Sequence, residues 1–122
     1  MTQAEHIAIL ARQYGITVET RKGAQGMAYH ESRRIRIAPV AGPVSYATAL
    51  HELGHLVAQG ASGPQHSRLI KETRAWKWAM WAALEWTDRM DSEMQRSLGV
   101  YVDRGKRRGW PIPAEVYRLL DR

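Results

Sequence analysis

The sequence predicts an α+β domain in which a small three-stranded antiparallel sheet packs on a helical core. Short alternating runs lie between residues 16 and 38, and longer runs with helical periodicity flank them on both sides. At 122 residues, 44% hydrophobic and 25% charged, the chain matches one soluble globular domain covering residues 1–122.

Residues 3–14 carry Ile7, Leu10, Ala11 and Tyr14 at helical spacing, and Gly15 follows where a helix would stop. Ile16-Thr17-Val18-Glu19-Thr20 alternates as a strand. Lys22-Gly23-Ala24-Gln25-Gly26 reads as a turn before Met27-Ala28-Tyr29-His30, so these two runs form the expected hairpin. Arg34-Ile35-Arg36-Ile37-Ala38 is the third strand, ended by Pro39. Pro43 suits the first turn of a second helix, from about Val44 to Gln59 and closed by Gly60. A third helix runs from about Ser67 at least to Trp86, apolar around nearly its whole circumference and hence expected in the middle of the fold. From about residue 88 the chain is a divergent helical part, with an amphipathic stretch over 93–103 and a last turn or two over 114–120.

With no Cys, disulfides, thiolate nucleophiles and thiolate metal sites are excluded, so any metal must sit on His and carboxylate. The first six residues lack a secretory pattern and no apolar run spans a bilayer, so the expected location is cytoplasmic, without membrane partners. A net charge of +6 is compatible with nucleic acid, an acidic partner or plain solubility.

His51-Glu52-Leu53-Gly54-His55 is an HExxH sequence inside the second predicted helix. Residues four apart on a helix stack one turn above each other, so His51 and His55 can offer two imidazoles to one ion. Glu52 then stands beside them as a base. Ala47, Leu50, Leu53 and Val57 form an apolar stripe that buries the helix, and Gly54 allows a close approach by another element. Catalytic zinc needs a third protein ligand. Ala58 and Ala61 occupy the positions where a metzincin needs Gly and His. Glu72, on the third helix beyond a Gly/Pro turn, is the favoured third ligand, with His66 as its competitor and a solvated first-turn carboxylate as the plain alternative. Two imidazoles and a carboxylate suit one Zn2+ better than magnesium or calcium.

Over roughly residues 4–84 the chain resembles the ImmA/IrrE-type zinc metallopeptidases of bacteria, phages and mobile elements. The resemblance rests on Ala11-Arg12-Gln13-Tyr14-Gly15-Ile16, on Arg34-Ile35-Arg36-Ile37, on Ala47-Thr48-Ala49-Leu50-His51-Glu52-Leu53-Gly54-His55 and on Glu72-Thr73-Arg74-Ala75-Trp76-Lys77-Trp78-Ala79. It implies a minimal zincin-like fold and a gluzincin-like site, with His51, His55 and Glu72 as ligands and Glu52 as catalytic base. It also implies a protein substrate such as a helix-turn-helix repressor. The departure is C-terminal, where Trp81-Ala82-Ala83-Leu84-Glu85-Trp86 stands in place of the family's leucine-methionine-proline segment.

Tyr46, His66, Arg74 and Tyr101 are candidate donors to a tetrahedral oxyanion. An extended substrate could add to an exposed edge at 34–38, with Arg34 and Arg36 favouring acidic flanks; the same arginines equally serve to keep an edge from aggregating. Trp76, Trp78, Trp81 and Trp86 cannot share one helix face, so those left outside the core would mark a partner surface. Two other functions compete with proteolysis. One is a catalytically idle, zinc-containing regulatory module that docks a partner protein. The other is a nucleic-acid binder using Arg104, Lys106, Arg107, Arg108, Arg118 and Arg122.

Overall fold

The computed structural model describes residues 1–58 and 66–121, the side chains of His66 and Ser67 excepted. The described residues form five helices and three strands: α1 (Gln3–Gln13), β1 (Thr17–Thr20), β2 (Met27–Tyr29), β3 (Arg34–Ile37), α2 (Pro43–Val57), α3 (His66–Ala82), α4 (Asp88–Arg107) and α5 (Ala114–Leu120). The class is α+β, as the sequence predicts.

Local chemistry sets the helix starts. Thr2 and Glu5 form a reciprocal capping box on α1, each side chain accepting the other's backbone N–H at 3.0 Å. At α2, Pro43 takes a first-turn position, while the Ser45 hydroxyl accepts from the N–H groups of Ala41 and Gly42. Thr87 caps α4 by accepting from the Met90 N–H, a cap that sequence reading missed. That helix is longer than the predicted 93–103 stretch because it also absorbs Lys106 and Arg107. Their charges favour a helix C-terminus.

The sheet departs from the expected antiparallel arrangement. It is mixed, in the order β1-β3-β2, with β1 parallel and β2 antiparallel to β3. The hairpin joins β2 to β3, not β1 to β2. Its tight turn, residues 30–33, ends at Arg33 with φ of 51°, and the Arg33 N–H reaches the His30 carbonyl. The central place goes to the strand whose apolar residues are best buried: Ile35 and Ile37 face the core, whereas β1 and β2 are only partly covered. Arg34 and Arg36 therefore do not flank a free edge. Both pair with Glu19 on β1, and the Arg34 guanidinium lies 4.2 Å from the Tyr29 ring centroid.

The helix in the middle is α2 rather than α3. Tyr46, Ala47, Ala49, Leu50, Leu53 and Leu56 are enclosed between the sheet, α1, α3 and α4. One side of α3 is buried, through Leu69, Glu72, Thr73, Ala75, Trp76 and Ala79 at helical spacing, while Arg74, Lys77 and Trp81 stay outside. It also stops at Ala82, short of Trp86. The Leu84 N–H turns to the Tyr46 hydroxyl, and the Trp86 indole N–H bonds Asp91. Of the four tryptophans near this helix, Trp76 is core, Trp78 and Trp86 are half-buried, and Trp81 is 75% exposed. No helix among the described residues is long and apolar enough to cross a membrane.

Candidate metal centre

The central helix carries the HExxH residues on the side facing α3. His51 and Glu52 are buried and His55 half-buried, with the two imidazole centroids 4.5 Å apart. His51, Glu52 and His55 each offer a ligand atom, all within 4.8 Å of one another, so this group could hold a metal ion. Ligands about 2.1 Å from a tetrahedral ion stand about 3.4 Å apart, so modest side-chain adjustment closes the group.

Glu72 reaches the same place from α3. Its two carboxylate oxygens lie 3.1 Å from His51 Nε2 and 2.8 Å from His55 Nε2. The approach depends on Gly54, between the histidines. A Cβ there would come within 2.5 Å of the Ala75 carbonyl oxygen, so the glycine lets α3 lie against α2 at the height of the site. Further along, Trp76 stacks on His51 with ring centroids 4.2 Å apart and planes 9° apart, fixing that imidazole. Gly26, at the entrance to β2, abuts Glu52: a Cβ there would come within 2.5 Å of its carboxylate.

The donor set suits a divalent cation. His51 Nε2 is buried without a hydrogen-bond partner, since its short contact to Glu72 lacks hydrogen-bond alignment, and such an orphaned nitrogen is costly unless something else engages it. Burial alone would raise the Glu72 carboxyl. Contact with the two imidazoles, His51 first and His55 second, outweighs burial and brings it down to about 2. Burial likewise works against protonation of His55, but Glu72 prevails and its pKa rises. Glu52 goes the other way. Burial pushes its carboxyl up, only partly offset by the histidines. The two carboxylates thus divide: one is held ionised between the rings, the other is more ready to accept a proton.

These residues form the floor of a cleft of about 490 Å³. Gly26, Met27 and Ala28 of the β2 side, with His30, make one wall; Arg68 and Trp76 of α3 and Glu93, Arg96, Ser97 and Tyr101 of α4 make the other. A second groove, between α1 and the sheet, is larger, but its lining holds one ionisable side chain, Arg12. Chemistry, not size, selects the first.

Of the four oxyanion candidates, Tyr101 lines the cleft. Tyr46 is fully buried, with its hydroxyl between His6 Nδ1 and the Leu84 N–H, and Arg74 pairs with Glu115 outside the site. The His66 side chain lies outside the described residues, so its candidacy as ligand or donor does too. Sequence reading missed Gly26, His30, Thr48, Arg68, Arg96 and Ser97 as cleft residues. For Arg68 a signal existed: 68, 72 and 76 are spaced by four and fall on one face of a helix. Among the C-terminal basic residues, Arg104 packs on Tyr101, Lys106 on Tyr117 and Arg108 on Trp110, and Arg122 lies outside the described residues. Comparison with protein families, curated proteins and solved structures finds no match, so function is read here from the chemistry of the site.

Proposed function

We propose that the protein is a zinc metallopeptidase that hydrolyses a peptide bond in a protein substrate in the cytoplasm. His51, His55 and Glu72 hold one Zn2+, and Glu52 is the catalytic base. The observation that carries this reading is the approach of Glu72, from a separate helix, to Nε2 of both imidazoles, while Glu52 lies farther off on the cleft floor, 3.7 Å from His51 Nδ1. Zinc, when bound, supplies a Lewis acid that polarises the scissile carbonyl and acidifies water.

Glu52 takes a proton from the attacking water as the new C–O bond forms, and passes it to the leaving amine as the C–N bond breaks. Its buried, upward-shifted carboxyl suits this two-way transfer. Trp76 keeps His51 from turning, and Glu72 holds the rings in register. An extended substrate adds to the outer strand β2, whose residues 27 and 28 line the cleft, in place of the inner strand β3. The family resemblance points to a helix-turn-helix repressor or similar regulator as the substrate class.

Native mass spectrometry and peptide cleavage test the reading together. Wild type is expected to carry near-stoichiometric zinc, His55→Ala and Glu72→Gln to lose most of it, and Glu52→Gln to keep it while losing at least ~100-fold in turnover, the scale of a positioned general base. Zinc retention in Glu72→Gln would overturn the ligand set. A zinc-loaded Glu52→Gln variant that keeps full biological activity would replace proteolysis by docking.

A further inference from the structure

The α3–α4 wall of the cleft carries positive charge for which the proposed reaction has no use. Arg68 sits one helical turn before Glu72, lines the cleft, is exposed, and is close enough to His55 to oppose its protonation. Its guanidinium carbon is 5.8 Å from the ring centroid of Tyr101, which lines the same cleft. Arg104, on the next turn of α4, approaches that ring at 5.5 Å. Neither guanidinium has a carboxylate partner among the described residues. Arg34 and Arg36 pair with Glu19, Arg74 with Glu115 and Arg96 with Glu93. Glu72, the nearest acid on α3, is turned to the imidazoles instead.

Tyr101 thus holds one uncompensated guanidinium, Arg68, within the cleft lining and a second, Arg104, just outside it, and planar donors of this kind suit a carboxylate. We propose that Arg68 and Arg104, set against Tyr101, form a subsite that selects substrates by a carboxylate close to the scissile bond. This inference rests on the peptidase reading and supplies its substrate class: acidic peptides. The carboxylate belongs either to an Asp or Glu side chain or to the substrate's chain end, and both present the same two oxygens.

The test is binding of three fluorescent peptides of equal length to zinc-loaded Glu52→Gln protein: one with a single Glu and an amidated end, its Gln counterpart with an amidated end, and that Gln peptide with a free C-terminal carboxylate. At least one carboxylate-bearing peptide is expected to bind about tenfold or more tightly than the neutral one, and which of them does so identifies the source. Raising the ionic strength should shrink the difference. Adding Arg68→Gln and Arg104→Gln should bring the three peptides within about twofold, and the paired Lys substitutions should restore part of the preference. Adding Arg68→Glu and Arg104→Glu should shift it toward a Lys peptide, a gain that misfolding cannot produce. Equal or absent binding of all three peptides, or a preference that survives the paired Gln substitutions, overturns the subsite. Turnover by wild type separates the two ideas: a tightly bound acidic peptide that is never cut sinks the peptidase and leaves the subsite, whereas cleavage without charge preference does the reverse.

Discussion

Two glycines set the spacing of the site, and their substitution should have opposite consequences. At Gly54 an added methyl meets the backbone of Ala75, which can yield only if α3 moves. Gly54→Ala is therefore expected to cost about 1–3 kcal/mol in urea unfolding and to weaken zinc binding, because α3 carries Glu72. At Gly26 the methyl meets the flexible end of Glu52. Gly26→Ala should leave zinc content near wild type in mass spectrometry while lowering turnover, since the displaced group is the proposed base. His6 makes a different kind of claim. Tyr46 accepts the Leu84 N–H and has its proton left for His6 Nδ1, 2.6 Å away, an arrangement that needs a neutral imidazole. Burial accordingly depresses the His6 pKa below its ordinary 6.5. As pH falls through 6.5 the unfolded chain takes up a proton that the folded one resists, so this contribution to stability is present above that pH and lost below it. His6→Asn, which keeps an acceptor near Nδ1, should flatten the fall in thermal stability between about pH 7.5 and 5.

Single contacts between elements decide where α2 ends and how the strands are held. Arg33 donates to the Leu56 carbonyl at 3.1 Å and to the Tyr14 carbonyl at 2.7 Å, so one guanidinium ties the last turn of α2 to the end of α1. Its own carbonyl accepts the Thr17 N–H at the start of β1, and its left-handed backbone closes the β2–β3 turn. Arg33→Ala should destabilise the protein by about 1–3 kcal/mol, measured by urea unfolding, from the loss of two charge-assisted bonds to partly buried carbonyls. Arg33→Gly relieves the positive φ but loses the same bonds, and is expected to recover only part of that.

Across the whole molecule, the site draws on α2, α3, α4 and the β2 side, so its ligands converge only when these elements are packed. An ion bound by His51, His55 and Glu72 would bind the folded chain in preference to the unfolded one. Removing it with a chelator is expected to lower the melting temperature of wild type, with a stability loss of about 2.7 kcal/mol where free zinc had stood at a hundred times Kd. The same treatment should leave His55→Ala unchanged. Equal melting of chelated and zinc-loaded wild type, in calorimetry, would count against zinc at this centre.

The heart of the candidate metal centre was legible in the sequence because it is local. His51 and His55 are one helical turn apart wherever that helix sits, Glu52 follows from the same spacing, and Glu72 stands out as the acid on the next helix. Gly54 as a point of close approach is likewise seen in its contact with Ala75. The α+β class also came from period alone, through short alternating runs between long helical ones. What the sequence could not fix was pairing. Each strand carries its own alternation but nothing that names its neighbour, and the centre went to β3 because Ile35 and Ile37 bury most fully. Nor could it place the middle of the fold, for the Trp-rich α3 has more apolar surface than its surroundings cover, whereas α2 is enclosed by both sheet and helices. The walls of the cleft, with Gly26 on one side and Tyr101 on the other, join residues 75 positions apart in the chain. Only packing in three dimensions brings such distant residues together.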